Sequence, residues 1–204
     1  MKTFVLPALF ILSATVLFAQ REETVLGHRG LGLSGFWWNW SHQAAQFPGD
    51  KAYMRGSQFG LEFGKCLFIG YGTYKLQDDI VIQQDQTSTR FDMHFNAFKI
   101  GYGFMAHRAI HPVLNVDLGG AKANVDGEGS DHLFIIQPAV GVELNVFRWF
   151  RLSLEGGYRF ATDSDFPSLS NQDISGLFGQ AVLRFGYSWG HFGKYRREYD
   201  RDWE

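Results

Sequence analysis

Hydrophobic and polar residues alternate with a period of two through the stretch Leu133–Ala161. Mostly apolar side chains occupy the even positions Phe134–Val146, and polar or small side chains occupy the odd ones. After a break at 147–149, the alternation resumes with apolar side chains at most even positions of Phe150–Phe160. A period of two is that of a β-strand, so this stretch is predicted to form a β-hairpin with one apolar and one polar face.

Similar alternation recurs along the chain and predicts eight strands in total. These strands are predicted at Gly30–Trp40, Arg55–Phe63, Cys66–Leu76, Phe91–Met105, His111–Ala123, Leu133–Val146, Phe150–Ala161 and Ser175–Trp189. In the first and fourth strands the apolar residues change phase by one position. Because one extra residue restores a common face, we expect a β-bulge at Gly35 and another near Ala97.

The predicted connections alternate between short and longer segments. Short ones fall at 64–65, 106–110 and 147–149, and longer ones fall at 41–54, 77–90, 125–131 and 162–174. In an up-and-down barrel all the short turns then lie at one end and all the longer loops at the other. Short periplasmic turns and longer extracellular loops are typical of transmembrane β-barrels. The sequence therefore predicts extracellular loops, with the first, second and fourth the longest.

The polar faces of the strands carry acidic and basic residues interleaved with glycines. The interior of an eight-stranded barrel is just wide enough for side chains to fill, and an interior charge needs a partner. We therefore predict that the apolar faces meet lipid and that the polar faces form a charge-filled lumen. The predicted interior polar network is Glu62, Asp92, Lys99, Asp117, Glu143, Arg151, Glu155, Arg159 and Arg184.

The hairpin at Leu133–Ala161 also predicts a register. If 147–149 is a three-residue turn, the pairs are Val146 with Phe150 and Leu144 with Leu152, and Glu143 lies opposite Ser153. The last strand lies beside this hairpin. We therefore expect Arg184 to supply a cation to Glu143.

Aromatic residues make up 17% of the chain. Transmembrane barrels carry aromatic girdles at both membrane interfaces. The predicted outer girdle is at the end of the first strand and the inner girdle surrounds the periplasmic turns. The predicted interface aromatics are Trp37, Trp38 and Trp40 at the outer rim, and Trp149, Phe150, Tyr187 and Trp189 at the inner rim.

The N-terminal segment is predicted to be a secretory signal peptide over residues 1–19. Lys2 supplies the positive start, Phe4–Phe18 is apolar, and Ala19 is a small residue at the expected cleavage point. The apolar run is shorter than the about 17–25 residues that a membrane-spanning helix needs. A periplasmic arm at 20–29, a barrel at 30–189 and a charged periplasmic tail at 190–204 complete the predicted organisation.

Residues 30–189 resemble the small eight-stranded outer-membrane barrels of the OmpA/OmpX type in face alternation, loop sorting and aromatic placement. Phe185, Tyr187 and Trp189 are similar to the C-terminal signal that the outer-membrane assembly machinery reads, although further residues follow here. The leader and the start at Gln20 resemble Bacteroidetes exports. The resemblance implies an all-β, eight-stranded antiparallel up-and-down transmembrane barrel in the outer membrane, with outer-membrane lipids and the assembly machinery as partners.

Two groups of residues have spacings that enzymes or metal sites use. Ser41, His42 and His132 lie near the predicted outer rim, where lipid hydrolases of this size place a Ser–His–acid set. Adjacent strand residues point to opposite faces, so Ser41 and His42 do not form a dyad with each other. His107 and His111 are four residues apart, but across a predicted turn rather than on a helix.

The remaining features favour a protein without a catalytic or cofactor site. Asp126, Glu128 and Asp131 would offer oxygen ligands to Ca²⁺ but lack the full EF-hand set. The net charge of −2 gives no indication of a nucleic-acid surface, and the single cysteine, Cys66, excludes an intramolecular disulfide. We predict a non-enzymatic barrel for membrane anchoring or surface contact, with no catalytic, cofactor or metal residues. A lipid-modifying enzyme, a narrow pore and a soluble ligand-binding barrel remain open alternatives.

Overall fold

The computed structural model describes residues 31–47, 50–77, 80–84, 87–164, 166–167 and 169–189 of the 204-residue chain. The predicted signal peptide, arm and tail lie outside these residues. The strands are β1 Leu33–Phe47, β2 Asp50–Phe63, β3 Leu67–Leu76, β4 Ile80–Gln84, β5 Thr87–Gly103, β6 Ile110–Val125, β7 Gly129–Phe147, β8 Phe150–Thr162 and β9 Gly176–Ser188, with one short helix, α1, at Asn171–Ile174. Among the described residues, no helix is both long and apolar enough to cross a bilayer.

The strands close into a barrel. The sheet runs in the order β3-β2-β1-β9-β8-β7-β6-β5-β4, every pair is antiparallel, and β3 also pairs with β5. Short β4 pairs with the start of β5 and so continues the position of β3. The barrel therefore has eight strand positions, and the predicted all-β antiparallel fold class is confirmed.

The strands are staggered around the barrel by ten residues. Following the register from His42 through β2, β3, β5 and β6 leads to His132 on β7. Following it the other way through β9 and β8 leads to Val142, ten residues further along β7. A stagger of this size tilts the strands by roughly 35–45° to the barrel axis.

The strands extend further than predicted at one end of the barrel. The predicted loop 41–54 is mostly strand, since β1 continues to Phe47 and β2 begins at Asp50. The predicted loop 77–90 contains β4 and the start of β5. We call this the loop end, and we call the opposite end, with the turns at 64–66, 104–109 and 148–149, the turn end.

The predicted bulge in the first strand is confirmed. The prediction of a bulge in the fourth strand is wrong. The register of β1 on β2 shifts between Leu33 and Gly35. By contrast, the register of β5 on β6 is continuous from Phe91 to Gly103. The backbone therefore keeps its alternation through Ala97. What changes there is the type of residue on each face: the inward side chains are apolar before Ala97, and the outward ones are apolar after it.

The unbroken register of β5 divides the barrel interior into two halves. Phe91, Met93 and Phe95 point inward, whereas Asp92 and His94 are exposed on the outer wall. At the loop end these three inward side chains join an apolar core that also contains Phe47, Met54, Tyr74, Leu133, Ile135 and Phe178. The rule that apolar residues face outward and polar ones inward therefore holds in the turn-end half and reverses in the loop-end half.

The connection between β8 and β9 covers the loop end of the barrel. We call residues 163–175, apart from 165 and 168, the cap segment. Its side chains Phe166, Leu169 and Ile174 are buried in the loop-end core. The backbone N–H of Ser170 donates to Asp173 Oδ2 at 2.9 Å and stabilises the first turn of α1. The predicted fourth extracellular loop is thus folded over the mouth of the barrel.

The β7–β8 hairpin has most of the predicted register. Leu144 pairs with Leu152 and Glu143 with Ser153, as predicted. The pairing of Val146 with Phe150 is wrong, because Phe147 takes that place and the turn has two residues rather than three. The extra residue is accommodated by a register shift between Asn145 and Phe147.

Candidate functional site

The turn-end half of the lumen is closed by ion pairs around Glu143, whose side chain is fully buried. Arg184 Nη1 lies 2.9 Å from Glu143 Oε2, as the sequence predicted. His111 Nε2 lies 3.3 Å and Arg151 Nη1 lies 3.7 Å from Oε1. Strands β6, β7, β8 and β9 each supply one of these four side chains, so the cluster joins a quarter-turn or more of the barrel wall across its interior.

A second acid extends this cluster to the turn-end rim. Glu62 Oε2 lies 3.2 Å from Arg151 Nη2, and the Ser188 hydroxyl donates to Glu62 Oε1 at 2.8 Å. Arg184 also lies over the ring of Phe68, with 4.1 Å between the guanidinium carbon and the ring centroid. The turn-end network, defined as Glu62, His111, Glu143, Arg151 and Arg184, therefore pairs two carboxylates with two guanidinium groups.

A separate group of polar side chains surrounds Asp117 in the middle of the barrel. Lys99 Nζ lies 3.1 Å from Asp117 Oδ2, and the Tyr74 hydroxyl donates to the same oxygen at 2.9 Å. Gln58 donates from Nε2 to Asp117 Oδ1 at 2.9 Å, and its Oε1 accepts a hydrogen bond from Asn39 Nδ2 at 3.1 Å. Both oxygens of the buried carboxylate are therefore satisfied, which is the condition for burying such a group at low cost.

Among the described residues, two members of the predicted network have neutral hydrogen-bond partners and no ion pair. Glu155 accepts hydrogen bonds from Ser153 Oγ at 2.8 Å and from Gln180 Nε2 at 2.7 Å. Arg159 donates from Nε to the backbone carbonyl of Ile174 at 2.9 Å. Its guanidinium carbon lies 4.1 Å from the ring centroid of Phe47. Arg159 therefore ties the cap segment to the barrel wall rather than joining an ion-pair network.

The predicted interior set needs one correction, and one residue of it lies at the rim. Asp92 is exposed on the outer wall, because no bulge occurs at Ala97. The side chain of Arg151 remains 14% exposed. The other seven residues, Glu62, Lys99, Asp117, Glu143, Glu155, Arg159 and Arg184, are buried inside the barrel.

The lumen also contains polar residues that the predicted set omits. Tyr74 and Gln58 donate hydrogen bonds to Asp117, Gln180 donates one to Glu155, and His111 lies 3.3 Å from Glu143. Neutral amides and a phenol on an inward position carry no charge signal. His111 was the detectable one, since it shares the inward parity of Asn115 and Asp117.

The interface aromatics also need a correction. Trp37 is only 2% exposed and points into the lumen, where its indole N–H donates to the Leu61 carbonyl at 3.1 Å. Trp38 and Trp40 face outward, but β1 continues beyond them, so they do not mark the outer rim. Trp38 lies 6.0 Å from Phe185 between ring centroids and is thus close to the turn-end aromatics.

The predicted inner-rim aromatics are all placed at the turn end. Trp149, Tyr187 and Trp189 are exposed, and Phe150 is half-buried. Trp149 stacks on Phe185 with 6.3 Å between ring centroids. The outer wall above them is apolar and exposed at Phe36, Trp40, Phe59, Leu61, Ile69, Tyr71, Phe98, Ile100, Leu114, Phe134, Ile136, Val140, Val142, Leu154, Phe160 and Leu177. A contiguous apolar wall of this extent marks a surface that meets lipid or another protein.

The residues considered for other chemistries are separated by the barrel wall. Ser41 is buried inside, whereas His42 and His132 face outward, and the His42 ring pairs with the Tyr53 hydroxyl. His111 is buried against Glu143, whereas His107 is exposed in a turn. Within the described part of the chain, no cluster of three or more His, Cys, Asp or Glu residues is arranged to hold a metal ion, and this includes the turn at 126–128.

Among the described residues, a small cavity inside the turn-end half has the volume of about one water molecule. A cavity of about 10 Å³ is lined by residues that include Trp37, Glu62 and Arg184. A wider depression of about 1010 Å³ opens at the turn end and is lined by Lys65, Arg148, Arg151 and others. Arg151 lines both, so it connects the turn-end network to the depression.

Comparison with solved structures places this architecture among outer-membrane barrels. Neisserial surface protein A has a TM-score of 0.51 at 15% identity, with 76% of this chain and 97% of that chain covered. The N-terminal barrel domain of Pseudomonas aeruginosa OprF has a TM-score of 0.58 at 10% identity, with 76% of this chain and 99% of that chain covered. This chain therefore has the outer-membrane β-barrel fold. No protein-family model and no curated protein matches the sequence.

Proposed function

We propose that this protein is a non-enzymatic outer-membrane barrel with a sealed lumen, which anchors in the membrane and presents its loop end to the cell exterior. The filling of the lumen is the observation that carries the proposal. The turn-end network, the Asp117 group and the apolar core under the cap segment follow one another along the barrel interior. Among the described residues, the cavity inside the turn-end half has the volume of about one water molecule, so we expect no ligand site there.

The proposed placement in the membrane is supported by the outer wall. Exposed Phe, Trp, Ile, Leu and Val side chains surround the turn-end half. A closed barrel leaves no unpaired strand edge, which is the condition for spanning a bilayer with strands. The proposed orientation places the short turns in the periplasm, as is usual for this fold. The leader pattern further supports export and a Bacteroidetes source.

The proposed surface-contact role belongs to the loop end. The hairpins β1–β2 and β4–β5 and the turn at 126–128 form this end together with the cap segment. The cap segment is fixed by three buried side chains and by the Arg159 bond to Ile174. A surface whose side chains are already ordered loses less conformational entropy when it binds a partner. This property favours a role in surface contact.

The placement is tested by separating the membranes of cells that produce the protein. We expect recovery in the outer-membrane fraction and a folded band that shifts in gel mobility on boiling. Recovery in the soluble fraction without such a shift would overturn the placement.

The sealed lumen and the absence of catalysis have separate tests. We expect no stepwise conductance when the purified barrel is added to a planar bilayer. Regular conductance steps would favour the narrow-pore alternative. Mass spectrometry of the membrane lipids from cells with and without the protein should show the same species. A species that depends on the protein would favour the lipid-modifying alternative.

A further inference from the structure

Six basic residues lie in one register row on the outer wall of the barrel. Starting at β1, each is the direct pairing partner of the next, through β2, β3, β5, β6 and β7. All six point outward, and all but the half-buried His42 are exposed. We call this the cationic row, which consists of His42, Arg55, Lys75, His94, Lys122 and His132.

A row of this kind is unfavourable by itself. Arg55 and Lys75 are direct pairing partners, and like charges directly opposite each other on neighbouring strands destabilise a sheet. Among the described residues, no carboxylate forms an ion pair with Arg55, Lys75 or Lys122. Asp92 lies two residues beyond His94 on the same face, but its partner across β6 is Asn124. The row therefore lacks an internal anion and suits an external one.

The part of the row on β5, β6 and β7 borders a groove in the outer wall. The groove has a volume of about 500 Å³, and its basic side is formed by His94, Lys122 and His132. Tyr71 and Phe98 line it on the side of the apolar wall. Its floor is the backbone at Gly119 and Gly120, where no side chain fills the space. Apolar surface on one side and cations on the other match the two parts of an anionic lipid.

The apolar wall ends closer to the turn end on β5 than on β7, two strand positions away. On β7 it extends from Val146 to Phe134, whereas on β5 it ends at Phe98 and continues as Asn96 and His94. Because the strands are tilted, the cationic row climbs obliquely and its members occupy several depths. Lipid headgroups beside β3, β5 and β6 would therefore meet basic side chains where acyl chains meet Phe134 on β7.

We propose that this groove binds a lipid with a phosphate headgroup from the outer leaflet. The phosphate contacts Lys122, His94 and Lys75, and an acyl chain lies on Gly120 against Tyr71 and Phe98. This inference rests on the proposed placement in the outer membrane, since only there does the outer wall meet outer-leaflet lipid. The binding itself is a property of the folded barrel and is measurable in detergent.

Two variants remove the charge and the space separately. In one, Lys75→Gln is combined with Lys122→Gln. In the other, Gly120→Leu fills the groove. A Cβ atom built on the exposed Gly120 lies 3.9 Å from the Leu133 carbonyl oxygen, so a side chain can leave the backbone there without a clash.

Each variant has a control matched in chemistry. Arg108→Gln with Arg148→Gln removes the same charge from exposed residues of the turn end. Gly179→Leu adds the same side chain at an exposed glycine of β9, where a Cβ atom meets no heavy atom closer than 4.0 Å. A boiling-dependent gel shift verifies that every variant is folded before binding is compared.

The experiment measures bound lipid on the full-length barrel in uncharged detergent by native mass spectrometry. The probes are dioleoyl phosphatidic acid, dioleoylglycerol with the same tails but no phosphate, inorganic phosphate and heparin. We expect one molecule of phosphatidic acid to bind preferentially. The Lys75→Gln and Lys122→Gln double variant should bind it about tenfold more weakly, as the loss of two exposed charge contacts implies. Gly120→Leu should weaken binding by a similar factor because its side chain occupies the space of the acyl chain. Binding by the controls should stay within about twofold of the wild type, which corresponds to less than about 0.5 kcal/mol.

Four results would overturn the proposal. Equal binding of dioleoylglycerol would show an unselective lipid contact, and equal binding of inorganic phosphate would show a site for soluble anions. Displacement of phosphatidic acid by lower concentrations of heparin would show a polysaccharide surface instead. Wild-type affinity in both groove variants would place the lipid elsewhere. Recovery of a lipid-binding protein in the soluble fraction would instead contradict only the membrane placement.

Discussion

Arg184→Ala should lower the free energy of unfolding of the barrel by about 3 kcal/mol, because it leaves a buried carboxylate without its main partner. Arg184 is 2.9 Å from Glu143 and is itself nearly buried. His111 and Arg151 remain near Glu143 at 3.3 and 3.7 Å, which places the expected loss at the lower end of the range for broken buried pairs. The measurement is the urea midpoint of the detergent-folded protein.

The double variant Glu143→Gln with Arg184→Met separates the charge effect from lost packing. Removing both charges avoids the unpaired carboxylate, so this variant should recover a large part of the stability lost by Arg184→Ala. Arg148→Gln, at an exposed residue of the adjacent turn, should leave the midpoint unchanged within about 0.5 kcal/mol. An unchanged midpoint for Arg184→Ala would show that the turn-end network does not stabilise the fold.

Gly119→Ala should also destabilise the barrel strongly, by about 2–3 kcal/mol, because it forces two strand backbones apart. A Cβ atom built at Gly119 lies 1.8 Å from the Asn96 carbonyl oxygen and 2.8 Å from the Ala97 Cα atom. These are backbone atoms of β5, which is held on its other side by β3. The contact therefore requires the β5–β6 pairing to shift, and urea unfolding in detergent measures its cost.

The neighbouring glycine provides the control for this substitution. At Gly120 an added Cβ atom meets only the Leu133 carbonyl oxygen, at 3.9 Å. Gly120→Ala should therefore leave stability unchanged or raise it slightly, since alanine restricts the unfolded chain more than glycine does. Equal losses for the two alanine variants would contradict the close approach of β5 and β6 at Gly119.

The architecture was predictable because face alternation and loop sorting are properties of neighbouring residues. The alternation around Glu143 gave the pairing with Ser153 and the approach of Arg184, and both are confirmed. The register shift at Gly35 was visible because Leu31 and Leu33 differ in parity from Phe36 and Trp38. Each of these features depends on the strand period alone.

The loop-end half was mispredicted because the sequence does not show where the membrane ends. Phe91, Met93 and Phe95 have the alternation of a lipid-facing strand, yet they fill the interior under the cap segment. In the proposed placement this half lies beyond the lipid, where water reaches the outer wall, so inward residues are apolar as in a soluble barrel. Assuming one rule for the whole strand required a bulge at Ala97, and it placed Asp92 inside.

Long-range partners were also beyond the sequence. Arg159 was predicted to need an acid, but the carbonyl of Ile174 and the ring of Phe47 hold it instead. The cationic row depends on the register of five successive strand pairs, which the length of each connection sets. A one-residue error in any connection would move His94 or Lys122 to the other face.

The central claim is that lipid surrounds the barrel and that its interior is sealed, and two adjacent tryptophans test it. Trp37 is 2% exposed inside the lumen, and Trp38 is 40% exposed on the outer wall. Single-tryptophan variants that retain one or the other, with the remaining tryptophans changed to phenylalanine, are reconstituted in bilayers of phosphatidylcholine. Their fluorescence is measured with brominated acyl chains and with aqueous acrylamide.

We expect brominated lipid to quench Trp38 strongly and Trp37 weakly, and acrylamide to quench neither one strongly. This outcome requires Trp38 to face lipid and Trp37 to face a closed interior. Strong quenching of Trp37 by acrylamide would show a water-filled lumen, and stronger quenching of Trp37 than of Trp38 by brominated lipid would show that the faces are reversed. Either result would contradict the account of a sealed barrel surrounded by lipid.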